Sequence, residues 1–390
     1  MKILAAVATV AVLAGSLGVV LWARGAAQSA AEPGRCRDWV TTRAYVREIA
    51  AARPLVSRMK RAFAAPGVSV AIAAEGKLVW SASCGFADLA RRVSVTRRTT
   101  FRIGSVSKPL TAVTVARLAQ AGRVDLDADV RRYAPTFPRK RHSITMRQLG
   151  GHLGGIRHYE GREALSRQHY PSVTASLQIF KDDPLVAVPG TRFVYSSYGF
   201  NLLGAAVEGA AGRPFAAAVA ETTLSPLGMT RTRLDRGGPP RGRARFYEVT
   251  ARRTAVAAPR VDLSNRFPSG GFLSTAEDLA RLGTGITDPA FLEPQTQELL
   301  FSSQRTTGGE ATRYGFGFEV GQSPFGPVVG HTGNVVGGTA FLFLHPRTRV
   351  AVALTTNIGF VTAATPPSLG RGVPDPPQLA VPFIRRVLAG

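Results

Sequence analysis

A chain of 390 residues with 49 Lys and Arg against 25 Asp and Glu carries a formal net charge of +24, and 43 of its cations are Arg. Hydrophobic residues at 45% and charged residues at 19%, with 41 Gly and 26 Pro, exclude disorder, coiled coil and collagen and are enough for a large core. Two cysteines, Cys36 and Cys84, are too few for a disulfide-framed scaffold and lack zinc-cluster spacing, which leaves either one bridge or two separate small hydrophobes.

At the N-terminus Lys2 precedes an uncharged apolar run, Ile3 to Ala23, ending at Arg24 and followed by the small residues Ala27, Ser29, Ala30 and Ala31. Residues 1–31 therefore read as an export signal cleaved after Ala31 or as a retained membrane anchor, and either places the body, 32–390, outside the cytoplasm. An Arg-rich amphipathic mitochondrial presequence does not match a run that is apolar all round. Residues 68–73 and 77–83, joined through Glu75-Gly76, predict a hairpin. Helical spacing follows over Ser107 to Gln120, Tyr198 to Ala211 and Thr275 to Leu282, the last opened by a capping box, Ser274-Thr-Ala-Glu277. Tyr314 to Val320 predicts a strand, and Gly338 to Leu344 and Arg349 to Thr355 flank a turn at His345-Pro346-Arg347-Thr348. Gly and Pro clusters at 188–190, 236–242 and 365–377 mark loops. The expected fold class is α/β (α+β): an antiparallel sheet built from both chain ends, about 66–90 and 313–357, flanked by helices, with a helical region inserted at about 110–310.

The chemistry-bearing motifs are sparse. No Gly-x-Ser-x-Gly elbow, His-Glu-x-x-His or Gly-x-x-x-x-Gly-Lys-Ser/Thr is present, which disfavours an α/β-hydrolase, a zincin and a P-loop ATPase. Ser-x-x-Lys occurs twice, as Ser57-Arg-Met-Lys60 and Ser105-Val-Ser-Lys108. Residues three apart share a helix face, so Lys108 can lie beside the Ser105 hydroxyl and take its proton. Ser105 also follows Gly104 at a loop-to-helix junction, where unpaired N–H groups and the positive dipole end favour an oxyanion. Ser57 has no glycine beside it. No metal constellation and no cofactor motif appears; His142, His158, His169 and His345 are scattered.

Six stretches in order carry a resemblance: Phe101-Arg-Ile-Gly-Ser105-Val-Ser-Lys108, Ile144-Thr-Met-Arg-Gln-Leu-Gly-Gly-His152-Leu-Gly-Gly-Ile156, Tyr195-Ser-Ser197-Tyr-Gly-Phe-Asn-Leu-Leu-Gly204, Pro226-Leu-Gly-Met229, Gly270-Gly-Phe-Leu-Ser-Thr-Ala-Glu-Asp-Leu279 and His331-Thr-Gly333. Together they resemble the penicillin-recognising serine hydrolases, the superfamily of class C β-lactamases, D,D-carboxypeptidases and esterases. Ile156-Arg-His-Tyr159 and Arg243-Ala-Arg-Phe-Tyr247 point within it to LACTB-like serine hydrolases. The resemblance spans about residues 60–357 and implies a β-lactamase/transpeptidase-like fold.

It implies Ser105 as the acyl-forming nucleophile, Lys108 as its proton acceptor or hydrogen-bond partner, and Tyr195 as the base that exchanges protons with nucleophile and leaving group. For Tyr195 to act at neutral pH its phenol, near pKa ~10, must fall by about three units, worth roughly 4 kcal/mol. A charged Lys108 about 4 Å away could supply that, in which case Lys108 is not itself the base. His331, Thr332 and Gly333 stand where the family has Lys-Thr-Gly, so His331 is expected to bind a substrate carboxylate or tune Tyr195, and the Asn334 N–H to form an oxyanion hole with that of Ser105. Two departures limit the likeness. Position 197 is Ser where many relatives have Asn, which makes efficient β-lactam turnover doubtful. The usual Leu-x-x-His-Thr-Ser-Gly appears as Leu149-Gly-Gly-His152-Leu-Gly-Gly155, with His152 read as a positioned loop residue.

The expected activity is that of an exported serine hydrolase working through an acyl-enzyme on a small peptide, amide or ester substrate, of D,D-peptidase or LACTB-like peptidase type. A carboxylesterase or weak β-lactamase is the near alternative, and a non-catalytic cell-wall-binding protein the distant one. The Arg runs (Arg91-Arg92, Arg97-Arg98, Arg131-Arg132, Arg139-Lys-Arg141, Arg252-Arg253, Arg385-Arg386) are dispersed, so no specific nucleic acid is expected as a partner; anionic cell-envelope contacts fit better. Lysine at 108, in a chain that otherwise prefers Arg, adds to the case for chemistry there, because Arg does not readily give up its proton.

Overall fold

The computed structural model describes residues 34–238, 242–359 and 375–390. The apolar leader and parts of the expected loops at 236–242 and 365–377 lie outside the described residues.

Seven strands make the main sheet: β1 (Arg37–Val40), β2 (Gly67–Ala74), β3 (Lys77–Asp88), β4 (Glu319–Ser323), β5 (Gly326–Val335), β6 (Gly338–His345) and β7 (Val350–Thr356). Their order is β1-β3-β2-β7-β6-β5-β4, with every neighbouring pair antiparallel and the short strand Val93–Ser94 added at the end of β3. The β2–β3 hairpin turns at Glu75-Gly76, both at positive φ (51° and 80°), the conformation that a tight hairpin turn requires. The two chain ends meet where β2 pairs β7, with Ala73 opposite Ala351 and Ile72 opposite Val352.

Alternation along these central strands splits the core in two. Val68, Val70, Ile72, Val350, Val352 and Leu354 pack on one face against helix α1 (Val46–Ala62) and the C-terminal helix Val381–Leu388, through Ile49, Val56, Met59, Phe383 and Ile384. The other face carries small residues, Ala71, Ala73, Ala340, Ala351 and Ala353, beneath α2 (Ser107–Gln120), α3 (Ser197–Ala211) and α4 (Ala276–Ile286). Small side chains let the helices approach closely: a Cβ on Gly283 of α4 would lie 2.7 Å from the Ala351 Cβ. Helix α2 is buried on nearly every side, which is why its sequence lacks a polar face.

Two expectations need correction, and two helices go unread in the sequence. Tyr314 to Val320 is not one strand; pairing starts at Glu319, because Gly317, at φ 81°, turns the chain onto α2, where its Cβ would fall 2.2 Å from that of Ala112. The N-cap of α4 is Thr275, which accepts from the Asp278 N–H at 3.1 Å; Ser274 bonds Thr232 instead, and Glu277 accepts from Ser81. Helix α1 and the C-terminal helix were not read from the sequence, since charged residues and Pro54 break up the apolar face of α1.

Candidate functional site

Gly104, at φ 51°, opens a single 3₁₀ turn, Gly104–Val106, that runs directly into α2. The turn puts Ser105 and Lys108 on one face, with Lys108 Nζ 3.1 Å from Ser105 Oγ. Strand β5 runs against the turn at backbone distance: a Cβ on Gly104 would lie 2.8 Å from Asn334 N, and one on Gly333 would lie 2.1 Å from the Ile103 carbonyl oxygen. Only glycine at both positions permits that approach.

Tyr195 precedes α3. Ser196 caps that helix, accepting from the Gly199 N–H at 2.8 Å, and the phenol ahead of the cap donates to Ser105 Oγ at 2.9 Å. The first turn of α3 sends two free N–H donors into the loop that carries the histidines: Ser196 N–H to His152 Nδ1 and Ser197 N–H to His158 Nδ1, each 3.1 Å. Both rings are therefore acceptors at Nδ1, with the proton of the neutral form on Nε2. His152, at φ 59°, packs its ring at a tilt against Tyr195 and Tyr314, with centroids 4.3 and 4.6 Å away, and so helps to position the phenol.

Lys108 has no exposed surface. Its amine also contacts Ser197 Oγ at 3.3 Å and the Ser269 carbonyl at 3.1 Å, and lies over the rings of Tyr195 and Phe200, with no carboxylate within ion-pair distance among the described residues. Burial holds this amine well below the usual lysine range, opposed by Glu319 and reinforced by Arg266. Burial pushes the Tyr195 phenol up, against its hydrogen bond with Ser105. Both shifts run opposite to those required for a charged Lys108 that makes Tyr195 a phenolate.

The expected carboxylate-binding role of His331 does not fit the geometry. Its ring is 2% exposed; Nδ1 donates to the Thr332 carbonyl at 2.6 Å and Nε2 accepts from the Tyr314 hydroxyl at 2.9 Å, while burial lowers its pKa to about 4. A neutral ring with both nitrogens engaged inside the protein offers no cation to a substrate. Thr332 points outward, its hydroxyl donating to Glu319 at 3.1 Å. Among the described residues, Ser105, Tyr195, Ser197 and Asn334 line a common cavity of about 340 Å³; His331, Thr332 and Gly333 do not. The second Ser-x-x-Lys, at Ser57, lies in α1 across the sheet.

The cavity adds residues that the motif reading passed over: His158 and Tyr159 from the Ile156–Tyr159 stretch, Arg266 and Ser269 just ahead of Gly270-Gly271, and, beneath them, Tyr314. The stretches quoted for the resemblance held or adjoined the first four; nothing local distinguished Tyr314. Chemically, a hydroxyl shared by an amine and a phenol at the mouth of a cavity is equipped for nucleophilic attack with proton transfer on either side.

A protein-family model described as beta-lactamase matches residues 53–365. The chain is 29% identical over 402 residues to the serine beta-lactamase-like protein LACTB, mitochondrial, of Homo sapiens, covering 78% of this chain and 73% of that protein. Against its Bos taurus counterpart it is 29% identical over 418 residues, covering 81% and 75%. The structure of D-amino acid amidase from Ochrobactrum anthropi SV3, complexed with L-phenylalanine amide, superposes with a TM-score of 0.72 at 22% identity, covering 88% of this chain and 99% of that one, a likeness of fold. With the match running through both halves of the sheet and the whole helical region, the chain belongs to the beta-lactamase family and is a serine hydrolase of the penicillin-recognising superfamily.

Proposed function

We propose that the protein hydrolyses a peptide-type amide or an ester through an acyl-enzyme at Ser105. The observation that carries this reading is the contact of Ser105 Oγ with Lys108 Nζ at 3.1 Å and Tyr195 OH at 2.9 Å on the cavity wall. Lys108, as a neutral amine, accepts the Ser105 proton while Oγ bonds to the carbonyl carbon; the lowered Lys108 and raised Tyr195 pKa support this order. The N–H groups of Ser105 and Asn334 hold the oxyanion. The proton then passes from Lys108 to the departing nitrogen or oxygen, with the Tyr195 hydroxyl as relay, and water repeats the sequence to release the acid.

Peptidic amides are the first choice of substrate. Ser197 offers a hydroxyl where many relatives carry a carboxamide, so turnover of a β-lactam such as nitrocefin should be slow beside that of 4-nitrophenyl esters or D-Ala-D-Ala peptides. The protein, expressed without residues 1–31 and treated with a fluorophosphonate, should carry one adduct on Ser105 that Ser105→Ala lacks; no adduct and no hydrolysis of any substrate in that panel refutes the enzymatic reading. Export is proposed on the apolar leader and on the Cys36–Cys84 disulfide, a bond at home in an oxidising compartment. N-terminal sequencing of protein recovered from the cell envelope distinguishes cleavage after Ala31 from a retained anchor.

A further inference from the structure

Arg266 is 4% exposed and lines the Ser105 cavity. Its Nε donates to Asn265 Oδ1 at 3.0 Å and one terminal nitrogen, Nη2, to the Glu163 carbonyl at 3.1 Å, while the guanidinium lies 4.7 Å over the Tyr159 ring. The other terminal nitrogen, Nη1, has no protein acceptor among the described residues. No carboxylate among the described residues pairs with the side chain either: the Glu163 carboxylate is taken by Arg157 and Tyr198. Arg102, the other arginine this buried among the described residues, is matched by Asp235 at 2.7 Å. A buried guanidinium stays charged, and one held without an anion is costly unless a ligand supplies it. Among the described residues no Asp or Glu lines the cavity, and Ala164, Leu165, Val335 and Val336 give it apolar walls. A Cβ on Gly270 would lie 3.7 Å from Arg266 Cδ and 3.8 Å from the Gly104 carbonyl carbon, so the arginine stem and the Ser105 turn flank the same glycine.

We propose that Arg266 is a specificity-determining residue that binds a substrate carboxylate, so that the cavity selects amides and esters carrying an acid group and an apolar body near the scissile bond. This assignment rests on Ser105 as nucleophile. It moves anion recognition from the His331 strand to the segment ahead of Gly270.

The test uses matched ester pairs, 4-acetoxybenzoate against its methyl ester and mono-4-nitrophenyl adipate against 4-nitrophenyl hexanoate. In at least one pair the native protein should prefer the acid, and Arg266→Met should lower the acid-to-neutral ratio of kcat/KM by about tenfold or more, mainly through KM, with Arg266→Lys restoring part of it. An unchanged ratio, or equal losses on acid and neutral partners, overturns the proposal and leaves Arg266 a structural tie. Should the variants fail to fold, protection of native Ser105 from fluorophosphonate decides: 4-hydroxybenzoate should protect better than its methyl ester, and equal protection overturns the proposal. If native Ser105 is not labelled and no ester is cleaved, the hydrolase reading fails first and the assignment falls with it.

Discussion

At the scale of single residues, the site depends on burial setting the protonation of two groups. A buried amine surrounded by hydroxyls, a carbonyl and aromatic faces loses its proton readily, whereas a guanidinium in its place would not. Lys108→Arg should therefore lower acylation of Ser105 by about 10²–10⁴-fold, nearly as much as Lys108→Met, measured as the rate of fluorophosphonate labelling. Equal labelling by the arginine variant would mean that position 108 contributes charge and not basicity. The histidines make a second prediction. His331 and His158 are held near pKa 4, chiefly by burial, and His152 is also lowered, against about 6.5 in the unfolded chain. The unfolded state then binds more protons between these values, so the stability contribution is complete above about pH 6.5 and is lost as pH falls toward 4. His331 and His158 each contribute a slope of about 1.4 kcal/mol per pH unit in that window. Urea midpoints should drop steadily over that range, and His331→Gln should flatten the profile; a flat native profile contradicts the burial argument.

At the scale of elements, the hydrolytic geometry comes from three chain segments meeting at one turn. The 3₁₀ turn Gly104–Val106 supplies Ser105 and the first turn of α2 supplies Lys108, the entry to α3 supplies Tyr195, and β5 brings its backbone against Gly104. Gly333 is the position where this is tightest. Gly333→Ala should push β5 away from the Ile103 carbonyl, cost about 1–3 kcal/mol of stability and reduce acylation further than that loss explains. Thermal melts beside labelling rates check it; a variant that labels at the native rate would mean that β5 need not touch the turn. The local signals are readable: the helical spacing of apolar residues over Ser107 to Gln120 matches α2 as observed. The strand end is not. His331, expected from its place in the His331-Thr-Gly333 stretch to bind a substrate carboxylate or tune Tyr195, instead has its ring turned inward onto Tyr314 by the register of β5.

At the scale of the whole molecule, the sheet joins the two chain ends, the core lies on both its faces, and the N-terminal segment enters through a four-residue edge strand, β1, that gains from a further tie to β3. The Cys36–Cys84 bond is that tie, linking the approach to β1 to strand β3 across 48 residues. Its removal by Cys36→Ser should cost about 2–4 kcal/mol by freeing the unfolded chain, read as a lower denaturation midpoint. A reducing agent should lower the native midpoint similarly and leave that of Cys36→Ser unchanged; a native midpoint insensitive to reductant would remove the stabilising role and the support it lends to export.

Periodicity and motif order decided much of this protein on their own: the class of fold, the hairpin at Glu75-Gly76 and helices α2 and α3; they also nominated Ser105, Lys108 and Tyr195, which the fold brings into contact. These are local or near-local signals, set by side-chain spacing and by residue types whose chemistry has few other uses. Tertiary structure decided the rest. Whether Lys108 is an acceptor or a cation depends on desolvation by elements more than eighty residues away, and whether His331 faces substrate or Tyr314 depends on strand register. That Arg266 lies in the cavity wall without an acidic partner among the described residues depends on Glu163 pairing with Arg157 and Tyr198 instead. Burial, register and pairing are properties of groups brought together by folding, and so they are invisible in any one stretch of chain.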